Sequence, residues 1–244
     1  MKKWEDLPKE LQTAEIRPYY EALSRKRGSL VMKRLFDVVL SFVLLILFSP
    51  IILILSVAIK IDSHGPVFYR QVRITQYGRK FRIHKFRSMC DGADKKGTLV
   101  TVGNDARVTK VGKLIRKCRL DEIAQLIDVL KGDMTFVGVR PEVPRYVEKY
   151  QPEWNATFLL PAGVTNLACI FFKDEDEMLQ AAEDVDKKYV EEILPVKMEW
   201  NLKGIKSFSF FGDIKLMFMT FFAVLGKEYK SDYEGTQERE EIEG

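Results

Sequence analysis

Asp121 and Glu122 stand side by side, directly after the cations Arg116, Lys117 and Arg119 and ahead of an amphipathic stretch. Acids in the first turn of a helix favour its dipole, so capping accounts for any single Asp-Glu pair. The neighbouring cations raise a second chemistry. A carboxylate beside guanidinium groups stays ionised and can attack phosphorus. A second acid can hold Mg²⁺, which takes oxygen ligands and substrate phosphates. Arg140-Pro141 is the next candidate. Proline stiffens the turn, Gly138 lets backbone approach a ligand closely, and an arginine held there can grip a phosphate bidentately. In isolation Arg140 reads equally as a solvated loop residue. Lys85 and Arg87 carry the same ambiguity, since on strands they can form the wet face of a hairpin near lipid headgroups. His64 and His84 lack metal-ligand spacing and read as structural or surface residues.

The elements that must place these residues begin with a hydrophobic run, Val38 to Ile59, with Ser49-Pro50 at its midpoint. About 22 helical residues would span ~33 Å, close to the ~30 Å hydrocarbon core, so length alone reads as a transmembrane helix. Two observations favour a re-entrant hairpin. Pro50 lacks a backbone donor and crowds the carbonyl four residues back, where a serine hydroxyl can substitute. A break there leaves two arms, neither long enough to span. Both flanks are also basic: Arg25, Lys26, Arg27, Lys33 and Arg34 before the run, and Lys60, Arg70, Arg73, Arg79, Lys80, Arg82, Lys85 and Arg87 after it. A spanning helix concentrates Lys and Arg on its cytoplasmic side, and anionic lipid attracts basic segments there. The alternative is an ordinary proline-kinked spanning helix.

The 244 residues are 46% hydrophobic and 30% charged, so outside the run they can form one domain with a sizeable core. The net charge is only +4, but the basic excess lies in residues 1–120, which points to a membrane surface, a phosphorylated ligand, or both. Cys90, Cys118 and Cys169 are odd in number and lack metal spacing, as expected of free thiols in a reducing compartment. The run starts too late and is too long for a secretory signal. The sequon Asn155-Ala156-Thr157 matters only in an exported domain, which the charge pattern argues against.

In residues 1–30, Leu7, Leu11, Ile16, Tyr19, Tyr20 and Leu23 can form one apolar face on the membrane or the domain, with Pro18 as a break. Residues 66–90 alternate apolar and basic residues around Gln76-Tyr77-Gly78, a hairpin signal. Residues 91–106 read as a loop. Residues 108–118 and 121–131 read as two short helices, the second with Ile123, Leu126, Ile127 and Leu130 at helical spacing and Lys131-Gly132 as its end. Residues 138–144 form a rigid turn, and 145–158 and 176–194 read as helical. Residues 205–225 fit an interfacial amphipathic helix, and the tail from Lys227 reads as charged and disordered.

The stretches KRLFDVVLSFVLLILFSPIIL, GPVFYRQVR, KFRSM, RKCRLDEIAQLIDVLKGDMTFVGVRPE and PAGVTNLA together resemble the bacterial sugar transferase family, the small monotopic phosphoglycosyl transferases. The resemblance runs from about Lys33 to Gly226. It implies an α+β, mainly helical fold: a re-entrant Ser-Pro-broken membrane helix, a small β-hairpin, interfacial amphipathic helices and a compact cytoplasmic catalytic domain. The expected organisation is an N-terminal amphipathic extension (1–32), the membrane helix (33–61), the catalytic domain (62–226) and a charged tail (227–244). The implied reaction moves a phosphosugar from a UDP-sugar to polyprenyl phosphate and releases UMP, as the first membrane step of a glycoconjugate pathway on the cytoplasmic face of the bacterial inner membrane. By the same resemblance Asp121 is the nucleophile and Glu122 its acidic partner with Mg²⁺. Arg116 is an active-site arginine, Arg140-Pro141 helps form the uridine and phosphate pocket, Lys85 and Arg87 belong to a basic motif near the site, and Ser49-Pro50 is the helix break. Partners are then a UDP-sugar, polyprenyl phosphate and membrane lipid, with a homodimer left open.

The chain departs from the family pattern at Val139, where proline is usual, at Ala124-Gln125 for Pro-Gln, and at Ala162 and Asn166 in the Pro-Gly-Ile-Thr-Gly stretch. Asn166 replaces a glycine, and asparagine tolerates left-handed backbone. None of these touches Asp121 or Glu122, so they bear on which sugar is carried. Two rival readings are a nucleotide-sugar glycosyltransferase that releases UDP and a non-catalytic membrane scaffold. Phe68, Tyr69, Phe81 and Phe86 among basic strands also fit a nucleic-acid platform, but the bilayer-length segment beside them favours lipid and sugar-phosphate partners.

Overall fold

The apolar run lies inside one long helix. In the computed structural model, which describes residues 1–93, 105–172, 179, 184–227 and 229, a short α1 (Arg17–Ser24) leads into α2 (Arg27–Asp62). Among the described residues α2 is the one helix long and apolar enough to cross a membrane. Pro50 cannot donate to the carbonyl of Ile46. Ser49 Oγ donates to that carbonyl instead, at 2.8 Å, and the helix is continuous through the proline rather than broken at Ser49-Pro50 as expected.

One stripe of α2 faces the rest of the chain. Lys33, Asp37, Ser41, Leu55 and Ile59 are buried, and Leu40, Leu44, Leu45, Phe48 and Ile52 pack beside them. The spacing of three and four residues is that of a single helical face. The remaining sides expose Phe42, Val43, Ile46, Leu47, Leu53, Ile54 and Val57. An apolar surface of this extent marks a membrane or a partner.

The predicted hairpin forms in two steps. β2 (Val72–Ile74) pairs antiparallel with β3 (Lys80–Arg82) around the turn Gln76–Gly78, and β1 (Phe68–Tyr69) pairs with β4 (Lys85–Phe86) further down. Beyond it come α3 (Lys110–Lys117), a 3₁₀ turn (Leu120–Gln125) and α4 (Leu126–Lys131). The segment predicted as one helix is therefore half 3₁₀. Of the expected face Leu126 is buried and Ile123 packs beside it, but the rest of the buried side is Ala124, Gln125, Asp128 and Val129 rather than Ile127 and Leu130. Asp128 explains part of this: its carboxylate takes the His84 backbone N–H at 2.8 Å and meets His84 Nδ1 at 2.6 Å, so the helix turns a polar residue inward. Gly132 closes α4 in left-handed backbone, φ 86°.

A parallel pair, β5 (Met134–Val137) and β6 (Ala162–Thr165), follows. Between its strands lie α5 (Pro144–Val147) and a 3₁₀ stretch (Pro152–Leu159), a more broken path than the helix predicted there. After β6 come α6 (Leu167–Phe171), α7 (Val185–Lys188), a π turn (Tyr189–Ile193), α8 (Leu194–Lys206) and α9 (Phe210–Val224). The apolar stretch 205–225 is thus split. Ser209 caps α9 by accepting from Gly212 N at 3.0 Å, and α9 exposes Phe211, Phe218, Phe221 and Phe222 while burying Asp213.

Leu7, Leu11, Ile16, Tyr19, Tyr20 and Leu23 enter the largest core with Trp154, Leu159, Leu194 and Met198. The N-terminal face therefore lies on the domain, and Pro18 starts α1 rather than breaking it. Most of the loop expected at 91–106, part of the helix expected at 176–194, and nearly all of the tail lie outside the described residues. The three cysteines are free.

Candidate active site

The acidic pair sits on the 3₁₀ turn Leu120–Gln125. Arg119, immediately before it, has left-handed backbone at φ 51°, which costs a non-glycine residue about 1–2 kcal/mol. Conformations of this kind persist where surrounding structure imposes them, often beside functional groups. On one side β4 packs against this turn and supplies Lys85, whose Nζ donates to Glu122 Oε1 at 3.3 Å. From the other side comes Arg140. Its two guanidinium nitrogens reach both oxygens of Glu122, Nη1 to Oε2 at 3.4 Å and Nη2 to Oε1.

Burial works against the charge of Glu122, but Arg140 and Lys85 outweigh it and hold the carboxyl well below the usual carboxylate range. Asp121 behaves oppositely. Burial pushes its pKa up, Lys85 counteracts this, and the adjacent Glu122 charge adds to the rise. Burial also lowers the Lys85 ammonium. Neighbouring carboxylates with pKa values pushed apart are a signature of divided roles: Glu122 is a fixed anion that organises cations, while Asp121 is a charge held at a cost.

Arg140 is itself positioned. Its loop follows β5, and the carbonyl of Pro141 accepts from Arg73 Nη1 at 2.9 Å, while Gln71 Oε1 takes Arg73 Nε and Nη2 at 3.0 and 2.7 Å. Arg73 faces inward from β2 opposite the buried Phe81. The alternation of the hairpin holds that signal, since cross-strand partners share a face, although by charge alone Arg73 is one flank cation among several. Gly138 serves the loop differently from the expectation. A Cβ there would come within 2.9 Å of the Pro161 carbonyl, and one on Gly163 within 2.1 Å of the Gly138 carbonyl. The two glycines let β5 and β6 approach each other, so backbone and not ligand fills the space. Asn166 is extended (φ −160°), not left-handed. Its Oδ1 caps α6 at Cys169 N, 2.7 Å away, and its Nδ2 donates to the Gly138 carbonyl at 3.1 Å.

The fold thus brings Asp121, Glu122, Lys85 and Arg140-Pro141 together. The other two predicted cations make hydrogen bonds of their own. Arg87 is buried and donates to the carbonyls of Ser63 and His64 and to Ser63 Oγ, closing the C-terminal end of α2. Arg116 Nε donates to Ser88 Oγ at 2.9 Å. Ser49 and Pro50 lie in the exposed middle of α2.

For Mg²⁺ the donor chemistry fits. Asp121 and Glu122 offer hard carboxylate oxygens, which with water and phosphate oxygens meet the needs of a small octahedral cation. Among the described residues no group of three or more His, Cys, Asp or Glu gathers into a metal site, so substrate oxygens would have to complete the shell.

The model of the bacterial sugar transferase family matches residues 28–227. The chain is 35% identical over 80% of its length to the UDP-N-acetylgalactosamine-undecaprenyl-phosphate N-acetylgalactosaminephosphotransferase of Aeromonas hydrophila, covering 44% of that protein. It is 36% identical over 80% of its length to the UDP-glucose:undecaprenyl-phosphate glucose-1-phosphate transferase of Klebsiella pneumoniae, covering 40%. Against the Bacillus subtilis protein described as uncharacterized sugar transferase EpsL, it is 34% identical over 82% of its length and covers 90%. The chain therefore spans about two fifths of the first two relatives and most of the third.

Proposed function

The chain belongs to the bacterial sugar transferase family, and from that premise we propose that it moves a phosphosugar from a UDP-sugar to undecaprenyl or a related polyprenyl phosphate and releases UMP. The observation that carries this reading is the division of labour at the acidic pair. Glu122 is locked between Arg140 and Lys85, which leaves Asp121 as the nucleophile.

An Asp121 oxygen attacks the β-phosphorus. The bond from that phosphorus to the oxygen bridging the two phosphates breaks, and the bridging oxygen leaves with UMP. The lipid phosphate then attacks the aspartyl-phosphosugar, and Asp121 departs as a carboxylate. Dividing one displacement into two is the advantage of covalent catalysis. Arg140 and Lys85, held in place by Glu122, meet the charge that gathers on the transferring phosphoryl oxygens. Mg²⁺, held by Asp121 and Glu122 with substrate oxygens, would supply further charge neutralisation.

We also propose that α2 is re-entrant and that the acidic pair works on the cytoplasmic face of the inner membrane. Support comes from the packing of α2. Near its start Arg34 donates to the carbonyls of Val129 and Leu130. At its end Asp62 Oδ2 accepts from Val111 N at 2.8 Å, and Ile59 packs with Phe86, Ile115 and Ala124. Both ends are thus tied to one body around the acidic pair, whereas a spanning helix carries its ends to opposite sides of ~30 Å of hydrocarbon. Reporters at residues 20 and 226 should label from the same side; labelling from opposite sides would refute re-entrance.

Incubation with UDP-sugars, Mg²⁺ and polyprenyl phosphate tests the reaction by its nucleotide product. UMP is expected. UDP would select the rival glycosyltransferase reading, and no turnover with any sugar the scaffold reading.

A further inference from the structure

Beside Arg140 lies a cleft between the Val139–Glu142 segment and α8. Its lining includes Arg140, Glu142, Tyr189, Lys197 and Asn201. The space measures about 270 Å³ counting the open mouth, but only about 10 Å³ of it is interior, roughly the room of one water.

This polarity is unusual for its position. The inward face of α8 is otherwise Leu194, Met198, Leu202 and Ile205, yet Lys197 and Asn201 are buried with them, one helical turn apart. Tyr189 Oη donates to Glu142 Oε1 at 2.7 Å and receives Lys197 Nζ at 3.4 Å, so one wall is a connected polar chain. Asn201, 7% exposed, stands apart from it. Its Nδ2 reaches only the sulfur of Met198, at 3.8 Å, and its Oδ1 accepts no hydrogen bond. Buried carbonyl oxygens are rarely left without a donor, and an exception calls for a ligand or a function. The π turn Tyr189–Ile193 directly precedes α8, and such turns are frequent at functional sites.

We propose that this cleft selects the sugar: Asn201 Oδ1 accepts a hydrogen bond from one O–H or N–H substituent of the phosphosugar while the ring rests at the mouth beside Arg140. The proposal rests on the phosphosugar-transfer reading. A pyranose ring is too large for the interior, but a single hydroxyl or amide N–H is not. The ring is attached to the phosphorus that Arg140 and Asp121 address, so it must lie next to Arg140. The sugars in the names of two relatives, UDP-N-acetylgalactosamine and UDP-glucose, differ in such substituents.

The experiment compares UMP release by wild type, Asn201→Leu and Asn201→Asp with UDP-glucose, UDP-galactose, UDP-N-acetylglucosamine and UDP-N-acetylgalactosamine. Leucine removes the acceptor at similar volume; aspartate keeps it. The Leu variant should lower kcat/KM for the preferred sugar by about 10–100-fold while changing the least preferred by less than about 3-fold, since losing one hydrogen-bond reader penalises the substrate that used it. The Asp variant should keep the wild-type order of preference. An unchanged order in the Leu variant, an equal fall for all four donors, or a lost order in the Asp variant would overturn the proposal. If the wild type forms no UMP from any donor, the transfer reading fails and takes this one with it.

Discussion

Asp121 and Glu122 are adjacent carboxylates in opposite electrostatic settings, and the difference comes from what faces them. Arg140 and Lys85 sit on Glu122; burial and the Glu122 charge act on Asp121. Because the Asp121 pKa is raised, its charged form, the one the proposed attack requires, is lost as pH falls through a value above the ordinary 3.8. Glu122→Gln removes one of the charges that raise it. Carboxyl NMR titration of the metal-free protein should show Asp121 titrating at lower pH in Glu122→Gln than in wild type; an unchanged or higher midpoint would mean that Glu122 does not act on it. The types and spacing of these residues were legible in the sequence: the acidic pair, Lys85 and Arg140-Pro141 do meet. Which partners Arg87 and Arg116 take was not legible, because a strand or helix cation shows its charge in sequence but not which carbonyl or hydroxyl it will reach. The same holds for Lys197 and Asn201, which lie within a pattern that reads as an ordinary helix until its buried side is known.

At the scale of elements, the attachment of α2 depends on buried charge. Lys33 Nζ donates to Asp213 Oδ2 at 2.6 Å and to the Val137 carbonyl at 2.7 Å, linking α2 to α9 and β5. Asp37 accepts from Thr135 Oγ1 at 2.6 Å and from Phe136 N at 3.3 Å. In sequence Lys33 and Arg34 are flank cations for lipid headgroups. In the fold Lys33 is inside and Arg34 closes the C-terminal carbonyls of α4, a favourable place for a cation. Asp213→Ala strands the Lys33 ammonium in the interior and should destabilise the protein by about 3–5 kcal/mol, whereas Lys33→Met with Asp213→Leu should recover most of that loss. Thermal unfolding in detergent measures both, and equal losses in the single and double variants would show that the pair does not couple. The Ser-Pro repair at Ile46 was legible because it is local. The division of 205–225 at Ser207–Ser209, and the half-3₁₀ form of the segment that carries the acidic pair, follow from long-range packing and were not.

For the whole molecule, the proposed reaction would bring a soluble nucleotide sugar and a lipid phosphate to one carboxylate, and the arrangement of apolar surface suits that meeting. Beside the exposed sides of α2, α9 presents Phe211, Phe218, Phe221 and Phe222, and Phe36 of α2 meets Phe210 at 5.8 Å between ring centroids. The two apolar helices therefore adjoin, while the N-terminal residues reinforce the core behind the site. The central claim is that the phosphosugar passes through Asp121. Intact-protein mass spectrometry after mixing with a UDP-sugar and Mg²⁺, without polyprenyl phosphate, tests it most directly. The expected result is an adduct with the mass of one sugar phosphate, located at Asp121, formed with an equivalent of UMP, discharged by polyprenyl phosphate and absent in Asp121→Asn. Full turnover to lipid-linked product by Asp121→Asn, or an adduct on another residue, would contradict it.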